Sequence, residues 1–283
     1  MRNEAVAGAF YPADKNELRE QVLGLLKKAK NIIGAKAEKG KLVGGVVPHA
    51  GYIYSGECAA NFYKGLKFKG TVVLLGVNHS GYGHSISLSL DDFKTPLGIV
   101  KNDKEFSKEI IRNKGSLDLD EDEQAHSYEH SLEVQLPFLQ IQLKDFKIVP
   151  IVLKDYTYDS CKKLANLIFQ TADNLKRKIL VIASSDFTHY GRDYGFMPFF
   201  RDNKKGICEL DGKMIKLIEK MDSENFLKEA GNTTICGQGA IAVAIELAVL
   251  LGAKKGKLLK YYTSADKTGK CDSAVGYGCI GFS

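Results

Sequence analysis

His49, His79, Asp186, His189 and Cys236 are the positions in this 283-residue chain where metal-binding or proton-moving residues share a local setting. His49 follows a valine-rich run closed by Pro48, Asn78 and His79 follow the apolar run 71–77, and Asp186 and His189 follow the run 178–183. Ligands in open parallel α/β sheets bind beyond the carboxyl ends of the strands. Imidazole and carboxylate groups there are placed to coordinate a metal or to act as general acid and base. A single histidine in such a place is ordinarily a surface or capping residue, but three clusters at three strand ends point to one site. Cys236 is a fourth candidate, because it stands just before an expected helix over 240–251. The free N–H groups and positive dipole end of that helix favour a thiolate, the form that binds metal. Its competing reading is a small buried residue beside the tight Gly237/Gly239 turn.

The densest polar cluster is His126, Glu129, His130 and Glu133. It matches H-x-x-E-H, in which two histidines four apart on one helical turn hold zinc and the glutamate works as base. Pro137 follows closely, which shortens any helix there, and a pocket wall or helix cap is the competing reading. The phosphate-binding loop GxxxxGK[ST], a GxGxxG after a strand, the GxSxG elbow and the EF-hand loop are all missing from the sequence.

The elements that must position these residues are legible from periodicity. A capped amphipathic helix is expected over 15–30, with Asp14 and Glu17 at capping-box spacing. Buried strands are expected over 41–48, 71–77, 146–153 and 178–183, with helices near 55–64, 104–114, 159–175, 207–221 and 223–230. Residues 86–90 alternate like an antiparallel or edge strand, 93–98 read as a turn beside it, 118–123 as an acidic loop, and 258–264 and 274–282 as late strands. Strand, helix, strand in succession means a mostly parallel central sheet flanked by helices, an α/β fold. With no linker rich in proline or serine and no repeat, one domain over 1–283 is expected.

Composition narrows the function classes. Hydrophobic residues make up 44% and charged residues 26%, which excludes disorder and leaves a chain that needs no metal staple to fold. The excess of 40 Lys and Arg over 34 Asp and Glu, a net +6, is spread along the chain. Arginines are few, which argues against a nucleic-acid partner. The six cysteines show no CxxC pair, so they form neither a zinc ribbon nor a disulfide framework. The start of the chain carries no apolar signal core, and the apolar stretch 239–253 is too short to span a bilayer and contains Glu246. A cytoplasmic protein with reduced thiols and no membrane association is expected.

Seven motifs now fall into order: Val6-Ala-Gly-Ala-Phe-Tyr-Pro12, Pro48-His-Ala-Gly-Tyr-Ile-Tyr-Ser-Gly56, Gly76-Val-Asn-His79, residues 93–98, Glu129-His-Ser-Leu-Glu133, Ser184-Ser-Asp-Phe-Thr-His-Tyr-Gly191 and Ile235-Cys-Gly237. Together they resemble the Memo family, called protein B of the AmmeMemoRadiSam system in prokaryotes. The resemblance implies a fold like that of the class III extradiol dioxygenases of the LigB type, which are non-haem iron enzymes. It implies His49, His79 and Cys236 as metal ligands, with Asp186 and His189 lining the pocket. Two imidazoles and a thiolate suit iron(II) or copper. The dioxygenases use a carboxylate where this chain has cysteine, which sets it apart from ring cleavage. The expected function is metal-dependent redox or dioxygenase-like chemistry, with His189, oriented by Asp186, moving protons and Glu129 and His130 supporting the ligands. The resemblance also implies a pathway shared with a radical SAM protein and an AMMECR-type protein. The alternatives are a non-catalytic binding module that holds a peptide, small molecule or anionic group, and the zinc protease of the H-x-x-E-H motif.

Overall fold

The structure is a computed structural model that describes residues 1–30, 42–199 and 201–283. Four parallel strands form the middle of its main sheet, side by side in the order β1 (Gly44–Val47), β8 (Ile179–Ser184), β2 (Gly70–Val77) and β7 (Phe146–Leu153). Beyond β1 the sheet continues antiparallel through β11 (Ala274–Phe282) and β10 (Gly256–Thr263), and β9 (His189–Tyr190) pairs with β11. Beyond β7 lies antiparallel β3 (Ile86–Leu88), followed by β6 (Leu119–Glu121) parallel to it. This is the mostly parallel α/β architecture expected. Lys41 of the first expected strand lies outside the described residues.

The central strands are apolar along their whole length because both faces of the sheet are covered. Val72, Leu74, Leu180 and Ile182 pack on one side with residues of the helices Lys15–Lys28, Tyr52–Tyr63 and Leu136–Gln142. Val73, Leu75, Val181 and Ala183 point the other way, into a cluster shared with the helices Tyr158–Asn174 and Gln238–Leu250. The latter helix is apolar on nearly every side, and the layers around it account for that. Among the described residues no helix is long and apolar enough to cross a membrane.

Three local expectations are corrected. The acidic stretch 118–123 is not a loop: Leu119 is fully buried and anchors β6, while Asp122 caps the next short helix by accepting the Ala125 N–H. Strand 86–88 is therefore not an edge, since β6 covers it, although its antiparallel pairing with β7 is as expected. Residues 93–98 are not a simple turn. Phe93–Thr95 (β4) and Gly98–Val100 (β5) form a small hairpin held by the burial of Phe93 and Val100.

Candidate metal centre

The parallel register decides where the chemistry gathers. Val47 of β1 lies opposite Ser184 of β8, and Leu75 of β2 opposite Ala183, so three adjacent strands end nearly level. The residues that follow, His49, Asp186 and His79, therefore project at one end of the sheet. Cys236 arrives from the other side, just ahead of the Gln238–Leu250 helix. Its approach depends on Gly237, where an added Cβ would lie 2.5 Å from the Ser185 Cβ. The Gly237 N–H instead donates to Ser185 Oγ at 2.9 Å.

Each ligand candidate is held so that one lone pair stays free. The backbone N–H of His49 donates to Asp186 at 2.7 Å. Its ring Nδ1 lies 3.2 Å from Ser184 Oγ. The Ser184 hydroxyl donates its proton to the Ser131 carbonyl at 2.5 Å, and Ser184 Oγ accepts from Gln135 Nε2 at 2.8 Å. Ser184 can thus only accept from His49, which places the His49 proton on Nδ1 and leaves the Nε2 lone pair facing Cys236 Sγ at 3.3 Å. His79 follows the same logic with a stronger acceptor. Its Nδ1 lies 3.0 and 3.1 Å from the two oxygens of Glu129, whose carboxylate also accepts the His79 backbone N–H at 2.7 Å. A carboxylate behind a histidine fixes its tautomer and raises its basicity as a ligand. The ligating atoms of His49, His79 and Cys236 lie within 4.8 Å of one another. Two imidazoles and one sulfur at that spacing could hold a single metal ion.

The three residues differ in exposure, His49 being buried, Cys236 half-buried and His79 exposed. Burial drives the His49 pKa well below its ordinary value, and the neighbouring His130 and His79 add to the shift, so the ring is neutral. Burial also raises Glu129, but hydrogen bonds and charge from His79 with the N–H groups of Ser131 and His79 outweigh it and hold the carboxyl at about 2. Cys236 overturns an expectation. Despite the helix start beside it, burial and then the charge of Asp186 push its thiol up to about 12. The Asp186 N–H to Sγ contact at 3.3 Å only partly offsets this. A bound cation is what would draw that proton off.

Asp186 and His189 are arranged differently from the sequence reading. Asp186 does not orient His189, because its carboxylate is spent on the His49 backbone. His189 instead places Nδ1 2.9 Å from the Thr234 carbonyl and donates its backbone N–H to Thr234 Oγ1 at 2.8 Å, which leaves Nε2 free. Burial raises Asp186 to about 6, against the opposing pull of His189 and the N–H groups of His49 and Ala50. His130 stacks on His79 with ring centres 4.7 Å apart and meets His49 edge-on at 5.5 Å. All of these face an open cleft of about 690 Å³ whose walls include Phe10, Tyr54, Tyr194 and Lys270. Sequence reasoning missed Ser184, Gln135 and Thr234 as orienting groups. Ser184 stands inside a quoted motif, but only the third dimension shows what its hydroxyl faces.

The H-x-x-E-H reading fails on geometry. His126 sits in the five-residue helix Glu123–Ser127, while Glu129 and His130 lie beyond its end. The His126 ring is buried against Phe93 with Nε2 3.0 Å from the Ser87 carbonyl. Glu129 and His130 turn towards His79 instead, so the motif supplies no zinc pair on one helical turn.

Comparison with known sequences agrees with the extent of these motifs. The profile of the Memo-like protein family matches residues 2–280. A MEMO1 family protein of Pyrococcus abyssi is 38% identical over 293 residues, covering 99% of this chain and 98% of the relative. Relatives of the same name from Methanosarcina acetivorans, 37% identical over 99% of this chain and 98% of their own, and from Nitrosopumilus maritimus, 39% identical over 100% and 99%, are equally complete.

Proposed function

This chain belongs to the Memo-like family, and from that premise we propose that it is a metal-dependent redox protein in which His49, His79 and Cys236 hold one iron(II) or copper ion. The observation that carries the reading is the convergence of three lone pairs whose opposite sides are each tied to an acceptor or a donor. A bound ion would supply an open coordination position for dioxygen or an oxidisable substrate. The remaining work belongs to the protein. Ser184 and Glu129 engage the Nδ1 atoms of the two histidines and so leave the Nε2 atoms to face the ion. His189, anchored through Nδ1, presents Nε2 to the cleft as general acid or base. Asp186 fixes the backbone at His49, and the packed strands behind the site leave the cleft as the route of entry. The radical SAM and AMMECR-type partners implied by the resemblance would supply or consume the substrate of this cleft.

Anaerobic titration with iron(II) and with copper(I) tests the reading. Saturation at about one equivalent with a sulfur-to-metal absorption that disappears in Cys236→Ser supports it, and no saturable binding of either ion sinks it. One observation favours a second reading: Ile53, Tyr54 and Tyr194 are exposed at the cleft mouth beside Lys270. Such a rim suits a non-catalytic module that anchors a peptide or an anionic small molecule. Binding of that kind would survive chelation and His49→Ala.

A further inference from the structure

We propose that Arg2, far from His79 and Glu129 in sequence, is a positioning residue for the His79 side of the site. The inference rests on the metal-site reading only for its second readout. Arg2 is 5% exposed, and its guanidinium spreads over three acceptors. Nε donates to the His126 carbonyl at 2.7 Å, one terminal nitrogen donates to Glu133 at 2.7 Å, and the other to the carbonyl of Glu129. Its Cζ lies over the Phe93 ring, 4.8 Å from the ring centre. The guanidinium thus fixes the turn between His126 and Glu133 from behind. On the front of that turn the Glu129 carboxylate holds both the backbone and the ring of His79.

The path is short: Arg2 to the Glu129 main chain, the Glu129 carboxylate to His79. Metal ligands need their orientation held to within about half an ångström, and the Arg2 guanidinium is the donor that ties down the Glu129 carbonyl. Glu129 and the following His130 lie outside any helix, and each keeps one turn-type main-chain bond, the Glu129 N–H donating to the His126 carbonyl at 3.2 Å and the Val134 N–H to the His130 carbonyl at 3.2 Å. The planar fork of arginine is what the two carbonyls require. A lysine keeps the charge opposite Glu133 but cannot reach all three acceptors.

The first readout needs no metal. In the metal-free protein, ring 1H–15N correlations report the tautomer of each histidine, and the wild type is expected to show His79 protonated at Nδ1. Arg2→Lys should convert His79 to a mixture of tautomers while His189, held by Thr234, stays unchanged. The second readout is a double-mutant cycle on copper(I) affinity. Arg2→Lys is expected to weaken binding by about 10- to 100-fold in the wild-type background. In the His79→Ala background the further loss should be less than about twofold. If Arg2→Lys unfolds, the paired variant Arg2→Met with Glu133→Gln removes both buried charges and is read in the same way. An unchanged His79 tautomer in a folded variant, or an equal loss of affinity in both backgrounds, overturns the inference. Wild type that binds no metal defeats the functional reading alone, and the tautomer still decides the role of Arg2.

Discussion

Glu129 and Glu133 lie four residues apart in one motif, both almost wholly buried, and they do opposite things. Glu133 accepts from Arg2, from the N–H groups of Ala5 and Val6 and from the Tyr11 hydroxyl, so every direction around its carboxylate ends in a donor of the scaffold. Glu129 spends its oxygens on His79 and on the Ser131 N–H, and His79 then keeps a free nitrogen. The two buried histidines differ in which ring nitrogen is engaged and what the other faces. His126 is engaged through Nε2 with a carbonyl, whereas His49 is engaged through Nδ1 and leaves Nε2 towards Cys236. Saturated polar clusters hold the fold together. Clusters with converging unsaturated lone pairs are where chemistry can happen, and residue type alone does not tell them apart.

Four perturbations sharpen this contrast. The largest effect is expected from Glu133→Ala, which leaves the Arg2 charge buried without its partner. A loss of about 3–5 kcal/mol in unfolding free energy is expected, read by urea denaturation. Next comes pH. Burial lowers the His126 pKa to about 4, so the folded protein holds it neutral while the unfolded chain binds a proton below about 6.5. The unfolded state then carries more protons between pH 6.5 and 4. Stability from this group is complete above that window and lost as pH falls through it, by up to about 3 kcal/mol. His126→Gln should flatten that part of the pH–stability curve. Glu129→Gln acts on the site rather than the scaffold: metal affinity should fall by about 10- to 100-fold, with a much smaller change in the urea midpoint than Glu133→Ala produces. The smallest effect is a null one, since His126→Gln should leave bound metal within about twofold of wild type. A loss of metal there would revive the H-x-x-E-H motif as a ligand set and break the contrast.

Much of this was legible before the structure, for definite reasons. The central strands are buried on both faces, so their apolar runs announce them, and the parallel order makes their ends coincide at His49, His79 and Asp186. The short elements were less visible. β6 is a strand because Leu119 is buried within an acidic stretch, and one alternating apolar pair, Leu117 and Leu119, is too short a pattern to announce it. The acidic surroundings of 118–123 signalled a loop for that reason. The orienting groups were hidden in a different way. Ser184, Gln135 and Thr234 act through contacts between residues 45 to 135 positions apart, and their residue types are common throughout the chain. The raised thiol of Cys236 was misread because the helix start was visible in the sequence, while the burial that outweighs it was not.

The most direct test is the metal content of protein purified without oxygen and without a histidine tag, measured by mass spectrometry beside His49→Ala, Cys236→Ser and Glu133→Gln. About one equivalent of iron or copper in wild type and Glu133→Gln, with almost none in the other two, is the result expected if free lone pairs make the site. Equal metal in all four proteins, or none in any after reconstitution, would contradict the account.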